Sequence, residues 1–261
     1  MKKLFILALA TLFAGSAMAL DYEPKSGFTF MVFGGFDASN LKGTDWTGAG
    51  FDGKIGLNVG VKADYMLPNA KGTYLTASVD WIQKGAKRDY IENGATPGSF
   101  ETGVNKLQAH YLEVPIRVGY RYNFNDDWGV FGEVGPYFAI GVTGKNRIKY
   151  DNDALDSKYE MYFGKKYANV FANFPVPAAL ENVRAMQRFD CGLGFRIGGE
   201  YHKQYSLTFG YDWGFTDVYT NGYRKAYAQY IDGLPVVPPG TITRLSERKN
   251  HNLTFTFGFR F

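Results

Sequence analysis

The sequence has little of what disulfide-bonded, metal-binding or helical membrane proteins depend on. Its one cysteine, Cys191, excludes an internal disulfide. After residue 19 no run reaches the ~18 apolar residues that a membrane-spanning helix needs. Three scattered histidines offer no metal-ligand spacing, and a net charge of +4 gives no electrostatic reason to bind nucleic acid. We therefore expect no metal, no cofactor and no nucleic-acid partner.

The N-terminus has the three parts of a secretory signal peptide. Lys2 and Lys3 precede an apolar run over residues 4–15, and Ala17 and Ala19 supply small residues for cleavage. The apolar run is too short to span a bilayer. We predict a cleavable signal peptide over residues 1–19 and one domain over residues 20–261.

Glycine and aromatic residues are abundant, with 32 glycines and 17% Phe, Trp and Tyr. Apolar side chains alternate with polar or small ones in segments of roughly the ten residues that a tilted membrane strand requires. We predict eight strands, at residues 27–36, 54–67, 73–82, 110–122, 128–142, 189–201, 205–215 and 252–261.

The connections between these segments alternate between short and long. They are short after the second, fourth and sixth strands, and long over residues 37–53, 83–109, 143–188 and 216–251. Outer-membrane barrels have short periplasmic turns and long extracellular loops. The fold class expected is all-β: an eight-stranded antiparallel up-and-down transmembrane β-barrel in the outer membrane, with both termini in the periplasm and lipid around it.

The polar face of the predicted strands carries many charged residues. If the apolar face meets lipid, these charges point into the barrel, whose interior at eight strands is just filled by side chains. We expect them to pair with one another; a conducting pore is the alternative, for which eight strands leave little room. The charged set is Lys62, Asp64, Asp80, Glu113, Arg117, Arg121, Glu133, Asp190, Arg196, Glu200, Asp212 and Arg260.

Aromatic residues mark the strand ends and the chain terminus. Trp81 and Trp213 fall near the outer ends, as in an interfacial aromatic girdle. Phe257, Phe259 and Phe261 alternate with polar residues up to the last position. This ending resembles the C-terminal signal by which the barrel-assembly machinery recognises outer-membrane barrels, and we predict that role for the three phenylalanines.

The fourth long loop is rich in tyrosine. Tyr219, Tyr223, Tyr227 and Tyr230 recur at three- or four-residue spacing. Exposed tyrosines suit contact with a protein or glycan partner. The alternative is that they pack loop against loop over the barrel mouth.

Several strand sequences resemble the PorT-like outer-membrane β-barrel proteins of Bacteroidetes. The resemblance rests on residues 111–115 (YLEVP), 119–122 (GYRY), 129–137 (GVFGEVGPY), 189–194 (FDCGLG), the strand at 205–215, and 257–261 (FGFRF). It implies the same fold and location. The founding member of that family is linked to type IX protein secretion, so the resemblance also implies an alternative role as an accessory of protein secretion.

Two further alternatives make different demands on the structure. An outer-membrane lipid-modifying enzyme would need Ser, His and an acid together near the outer rim, where His110 and His251 are expected. A soluble, lipocalin-like barrel would turn its apolar residues inward and its charges outward. We expect no catalytic residues and a non-enzymatic protein whose outer loops make contacts or cap the barrel.

Overall fold

A computed structural model gives the structure of the protein. It describes residues 27–42, 52–68, 72–93, 100–150, 157–160, 168–169, 183–233 and 247–261. The predicted signal peptide at residues 1–19 lies outside the described residues.

Strands dominate the described part of the chain. Eight long strands are β1 (Phe28–Lys42), β2 (Asp52–Met66), β3 (Thr73–Asn93), β4 (Phe100–Asn123), β5 (Trp128–Tyr150), β8 (Phe189–Tyr201), β9 (Tyr205–Asp217) and β10 (Lys249–Arg260). Two short strands, β6 (Ser157–Glu160) and β7 (Ala168–Asn169), follow β5, and helix α1 (Asn221–Asp232) lies between β9 and β10.

The eight long strands form a closed ring. Each pairs antiparallel with its neighbour in the order β1, β2, β3, β4, β5, β8, β9 and β10. The ring closes between β1 and β10, from the Met31–Arg260 pair to the Lys42–Lys249 pair. Closure satisfies the backbone hydrogen bonds of both edge strands, as a membrane barrel requires. The predicted eight-stranded antiparallel barrel is confirmed.

The two ends of the barrel differ, and we name them the short-turn end and the long-loop end. At the short-turn end, β8 and β9 are joined through His202 and Lys203, both with positive φ, as a tight hairpin turn requires. Residues 124–127 connect β4 and β5 at the same end. Residues 43–51, 94–99, 151–188 and 218–248 connect the strands at the long-loop end.

Apolar side chains face outward over the middle of the barrel. Along β4, Leu112, Val114, Ile116 and Val118 are exposed, whereas Glu113 and Arg117 between them are buried. A lipocalin-like barrel would show the reverse arrangement. The apolar exterior is the surface that a membrane barrel presents to lipid.

The strands extend further toward the long-loop end than the sequence predicted. β3 and β4 continue through most of the predicted loop at residues 83–109, and β5 continues to Tyr150. The polarity of the two faces inverts in these extensions: Ala86 and Leu107 are buried inside, while Lys106 is exposed outside. The predicted boundaries were wrong because they relied on apolar residues facing outward.

Helix α1 was not predicted. Thr220 begins it by accepting a hydrogen bond from the Tyr223 backbone N–H at 3.1 Å, as an N-cap residue does. Its Tyr223 and Ala226 pack into the apolar cluster at the long-loop end of the barrel. Within the described ranges, no helix has both the length and the apolar character needed to cross a membrane.

Candidate functional site in the barrel lumen

Strand alternation places the charged residues predicted from the sequence inside the barrel. All of them have buried side chains except Lys62, whose side chain is 9% exposed. They occupy successive levels along the barrel axis, and each level brings acids and bases from several strands together.

The level nearest the short-turn end contains two acids and two bases. Arg121 lies 3.2 Å from Asp64 and 2.9 Å from Glu200. Arg260 contacts the same two carboxylates, at 3.2 Å from Asp64 and 2.5 Å from Glu200. Arg260 also donates to the Lys203 carbonyl at 3.0 Å. Strands β2, β4, β8 and β10 are thus connected across the lumen by one ring of ion pairs.

The next level is built around Glu133 of β5. Its carboxylate pairs with Lys62 of β2 and accepts a hydrogen bond from the Tyr74 hydroxyl at 2.8 Å. Lys62 lies 3.5 Å from Asp64 and so connects this level to the first. The Arg121 guanidinium lies over the Tyr74 ring, 4.7 Å from its centroid.

The central level is a two-bonded arginine–carboxylate pair between neighbouring strands. Arg196 of β8 donates to both oxygens of Asp212 on β9, at 2.7 and 2.8 Å. Arg117 reaches Asp212 at 4.0 Å from β4. Paired donation to a planar carboxylate fixes the arginine geometry as well as neutralising the charge.

The level nearest the long-loop end centres on a residue that the sequence analysis missed. Lys84 is fully buried, 2.7 Å from Glu113 and 3.0 Å from Asp190. Its ammonium lies 4.3 Å from the centroid of the Tyr137 ring. The predicted third strand ended at residue 82, which left Lys84 in a loop. Lys84 is four residues after Asp80, so on a continued strand both side chains face the same side. That spacing was the signal that could have placed Lys84 inside.

Glycines make room for the large side chains of the lumen. A Cβ atom on Gly119 would lie 2.3 Å from the Tyr74 ring, and one on Gly198 would lie 2.3 Å from the Phe131 ring. A Cβ on Gly210 would come equally close to Arg196. The glycine content of the strands therefore follows from the need to seat inward aromatic and arginine side chains against the barrel wall.

One small cavity lies among the charged side chains of the lumen. A cavity of about 30 Å³ is lined in part by Lys62, Asp80, Arg117, Glu133 and Arg196. At ~10–15 Å³ of such volume per water molecule, it holds about two waters. The arrangement can hydrate the charged groups, but this cavity cannot take up a solute.

The predicted loop tyrosines lie mostly over the long-loop mouth. Tyr223 is buried in the apolar cluster with Tyr111 and Tyr137 of the barrel wall, and Tyr219 and Tyr227 pack against that cluster. The Tyr219 and Tyr223 rings stack with centroids 5.8 Å apart. The side chain of Tyr230 lies outside the described residues. This arrangement corresponds to the packing alternative for the tyrosines that the structure describes.

The three C-terminal phenylalanines differ in exposure. Phe257 and Phe261 lie exposed on the outer face. Phe259 lies in register with Val32 and Tyr205, but it is only 9% exposed. Its ring centroid is 5.4 Å from that of Tyr205.

The three histidines lie in different surroundings. His110 packs its ring 5.5 Å from that of Trp81, and its Nε2 is 3.4 Å from the Gln108 amide. His251 lies 2.6 Å from the Tyr211 hydroxyl. His202, in the turn between β8 and β9, lies 3.2 Å from Asp127.

These features define a class of protein: a closed β-barrel with an apolar exterior, a lumen filled by ion pairs and a capped mouth. The sequence comparison identifies the family. Residues 13–220 match the outer membrane protein β-barrel domain family. This match covers most of the chain. The protein belongs to this family and is an outer-membrane β-barrel protein. No curated protein is similar enough in sequence to count as a match.

Several solved outer-membrane barrels are similar in outline. Ail, the attachment invasion locus protein of Yersinia pestis, solved with the heparin analogue sucrose octasulfate, is 12% identical, with 90% of this chain and 99% of that chain covered and a TM-score of 0.36. Neisserial surface protein A is 10% identical over 90% and 99%, with a TM-score of 0.39. OprG of Pseudomonas aeruginosa is 11% identical over 92% and 99%, with a TM-score of 0.38. Likenesses this distant carry no argument about what this chain binds.

Proposed function

We propose that this protein is a non-enzymatic, closed outer-membrane barrel that anchors its long loops at the cell surface. The observation that carries the proposal is that the barrel interior is filled by side chains and that its long-loop end is covered by a helix. Ion pairs fill the lumen from the Arg260 level to the Lys84 level, and Tyr223 of α1 closes the mouth above them. A barrel closed in this way acts through its surfaces.

The ion-pair network has a structural role in this proposal. A buried charge that loses its partner is strongly destabilising, so each level holds particular strands in one register. Arg260 is the penultimate residue and binds Asp64 of β2 and Glu200 of β8. The network therefore connects the final strand to strands on both sides of the closed ring.

Orientation and assembly form the second part of the proposal. The short-turn end and both termini lie in the periplasm, and the long-loop end lies outside the cell. The exposed Phe257 and Phe261, with the covered Phe259, serve as the signal read by the barrel-assembly machinery. An epitope tag inserted among residues 94–99 should be labelled on intact cells. Labelling only after the outer membrane is permeabilised would contradict the orientation.

The surroundings of the histidines favour a non-enzymatic protein. Among the residues that the structure describes, His110 contacts Trp81 and Gln108, and His251 contacts Tyr211 and Trp213. A hydrolase would instead place an acid and a serine hydroxyl within hydrogen-bond reach of such a histidine. We therefore place the protein among binding or structural barrels rather than lipid-modifying enzymes.

Permeability tests the closed-barrel proposal directly. Liposomes containing the purified, folded protein should not swell in isotonic arabinose, and planar bilayers should show no discrete conductance steps. A general porin reconstituted in the same lipid is the positive control. Swelling at a rate comparable to that of the porin would overturn the proposal.

The PorT-like resemblance supports a more specific alternative, an accessory role in protein secretion. Three of the segments that carry it, residues 111–115, 119–122 and 129–137, lie in the β4–β5 hairpin, where Glu113, Arg121 and Glu133 supply lumen charges. An accessory of a secretion machine must bind other components of that machine. Native complexes extracted in mild detergent should then contain them; recovery of lipid alone would exclude this role.

A further inference from the structure

Five basic residues lie on the outer wall of the barrel at the long-loop end. Lys87 on β3 is directly opposite Lys106 on β4, and Lys106 is directly opposite Arg147 on β5. Lys145 and Lys149 are two residues before and two residues after Arg147 on the same strand, so all three face outward. Lys87 is partly exposed and the other four are exposed. We call these five residues the basic face.

This arrangement is electrostatically unfavourable for the protein alone. Like charges directly opposite one another on neighbouring strands are destabilising. The row of Lys87, Lys106 and Arg147 across three strands contains no acid, whereas Lys145 at the lower edge of the face is opposite Glu160 of β6 in register. An anionic ligand lying along the row would relieve the repulsion among its three members.

The lower edge of the basic face lies within the polar layer of a membrane, and the row through Lys106 lies just above that layer. His110 packs beside Trp81 at the upper edge of the apolar belt. Lys106 is four residues further along β4; at ~3.4 Å per residue and a tilt of ~40°, it lies about 10 Å above His110. Lys145, opposite Gln108, lies about 5 Å above it by the same measure. The polar layer on each side of a bilayer is roughly 5–7 Å thick, and the basic face begins within it.

The wall behind the basic face is fixed in place. The inward side chains between its members, including Ala86 and Leu107, belong to the buried cluster that also contains Tyr223 of the capping helix. The backbone positions that carry the cations are therefore held at the inter-strand spacing of ~4.7–4.9 Å on a packed sheet. Two neighbouring cations at this spacing can reach the oxygens of one phosphate group.

We propose that the basic face binds the phosphate groups of phosphorylated glycolipid headgroups in the outer leaflet around the barrel. The proposal rests on the proposed orientation, which places the long-loop end outside. The occupant is a lipid headgroup rather than a soluble polyanion because the lowest cation, Lys145, lies within the polar layer of the membrane, where headgroup phosphates lie. Lipid bound there would also hold the extended β3–β4–β5 wall against the membrane.

The test measures binding of bisphosphorylated lipid A to the folded protein in detergent micelles. Lipid retained per barrel is counted by native mass spectrometry across a titration, and dephosphorylated lipid A is titrated in parallel. The test variant is Lys106→Gln with Arg147→Gln. The matched control is Arg184→Gln with Lys225→Gln, which removes two exposed cations from the same end of the protein outside the basic face.

Each base near an anionic surface contributes about fivefold in affinity, so we expect binding of bisphosphorylated lipid A to weaken about 25-fold in the test variant. The control should bind as the wild type does, and added salt should weaken wild-type binding. Equal affinities for all three proteins would overturn the proposal, as would equal loss in the control or equal binding of the dephosphorylated lipid. Heat-modified gel migration checks that each variant is folded.

The binding measurement uses purified protein and does not depend on orientation. Surface labelling of the tag among residues 94–99 tests orientation separately. A protein that binds bisphosphorylated lipid A selectively but exposes the tag to the periplasm would refute the proposed orientation. A correctly oriented protein with unselective binding would refute the basic face as a phosphate site.

Discussion

Replacing Lys84 by methionine probes the lumen network at its best-defined point. The side chain is fully buried, and its ammonium bridges Glu113 at 2.7 Å and Asp190 at 3.0 Å. Methionine keeps much of the volume but leaves two buried carboxylates without their shared base. Removing one partner of a buried ion pair costs about 3–5 kcal/mol, so the free energy of unfolding should fall by that amount.

The assay is urea-driven unfolding from lipid vesicles, followed by tryptophan fluorescence. Lys225→Met, an exposed substitution on α1, is the control and should change the free energy of unfolding by less than about 0.5 kcal/mol. In Lys84→Met combined with Glu113→Gln and Asp190→Asn, the two carboxylates that contact Lys84 are neutralised, and most of the loss should be recovered. A loss below about 1 kcal/mol in the single variant, well short of the cost of breaking a buried pair, would refute the reasoning. So would a combined variant no more stable than Lys84→Met.

Three further substitutions test the packing, the cap and the lipid face. Gly119→Ala places a methyl group against the Tyr74 ring and should lower the free energy of unfolding by about 1–3 kcal/mol through overpacking. Gly132→Ala, whose Cβ would meet its nearest atom at 3.9 Å, should lower it only slightly. Equal losses in urea unfolding would count against the close approach. Tyr223→Ala should make the segment between β9 and β10 sensitive to protease while the strands stay protected, and an unchanged digestion pattern would show that this side chain does not hold the cap. Ile197→Arg puts a charge on the outer face and should lower the free energy of unfolding from vesicles by about 2–4 kcal/mol if it lies near the bilayer midplane; a negligible change would argue that this surface does not meet lipid.

The membrane-facing part of the barrel was predictable from sequence because two environments act on alternate residues there. Lipid selects apolar side chains such as Leu112 and Val114, and the lumen selects charges such as Glu113 and Arg117. The resulting contrast located all eight strands and assigned their faces. The pairing of Arg196 with Asp212 joins neighbouring strands, but no pattern in the sequence indicates which acid each base will meet.

Beyond the apolar belt the outer face becomes charged and the inner face apolar. The strand boundaries predicted from the sequence were therefore wrong there. The wall outside is basic at Lys106 and Arg147, while the inside is apolar at Leu107 because α1 packs against it. Helix α1 owes its burial to that cluster. The four-residue spacing of Tyr223 and Tyr227 fits a helix, but without the cluster it does not distinguish a helix from an irregular loop. Lys84 belongs to the same zone, so its inward position became evident only with the extended strand.

The central claim is that the apolar face of each strand meets lipid and the charged face fills the lumen. Nitroxide labels at successive positions of β10, introduced one at a time after Cys191→Ser and reconstituted in liposomes, test it by electron paramagnetic resonance. Labels at Leu253, Phe255 and Phe257 should collide strongly with lipid-dissolved oxygen, and labels at Thr254 and Thr256 should not. High oxygen accessibility at Thr254 and Thr256, with Leu253, Phe255 and Phe257 shielded, would contradict the membrane-barrel account.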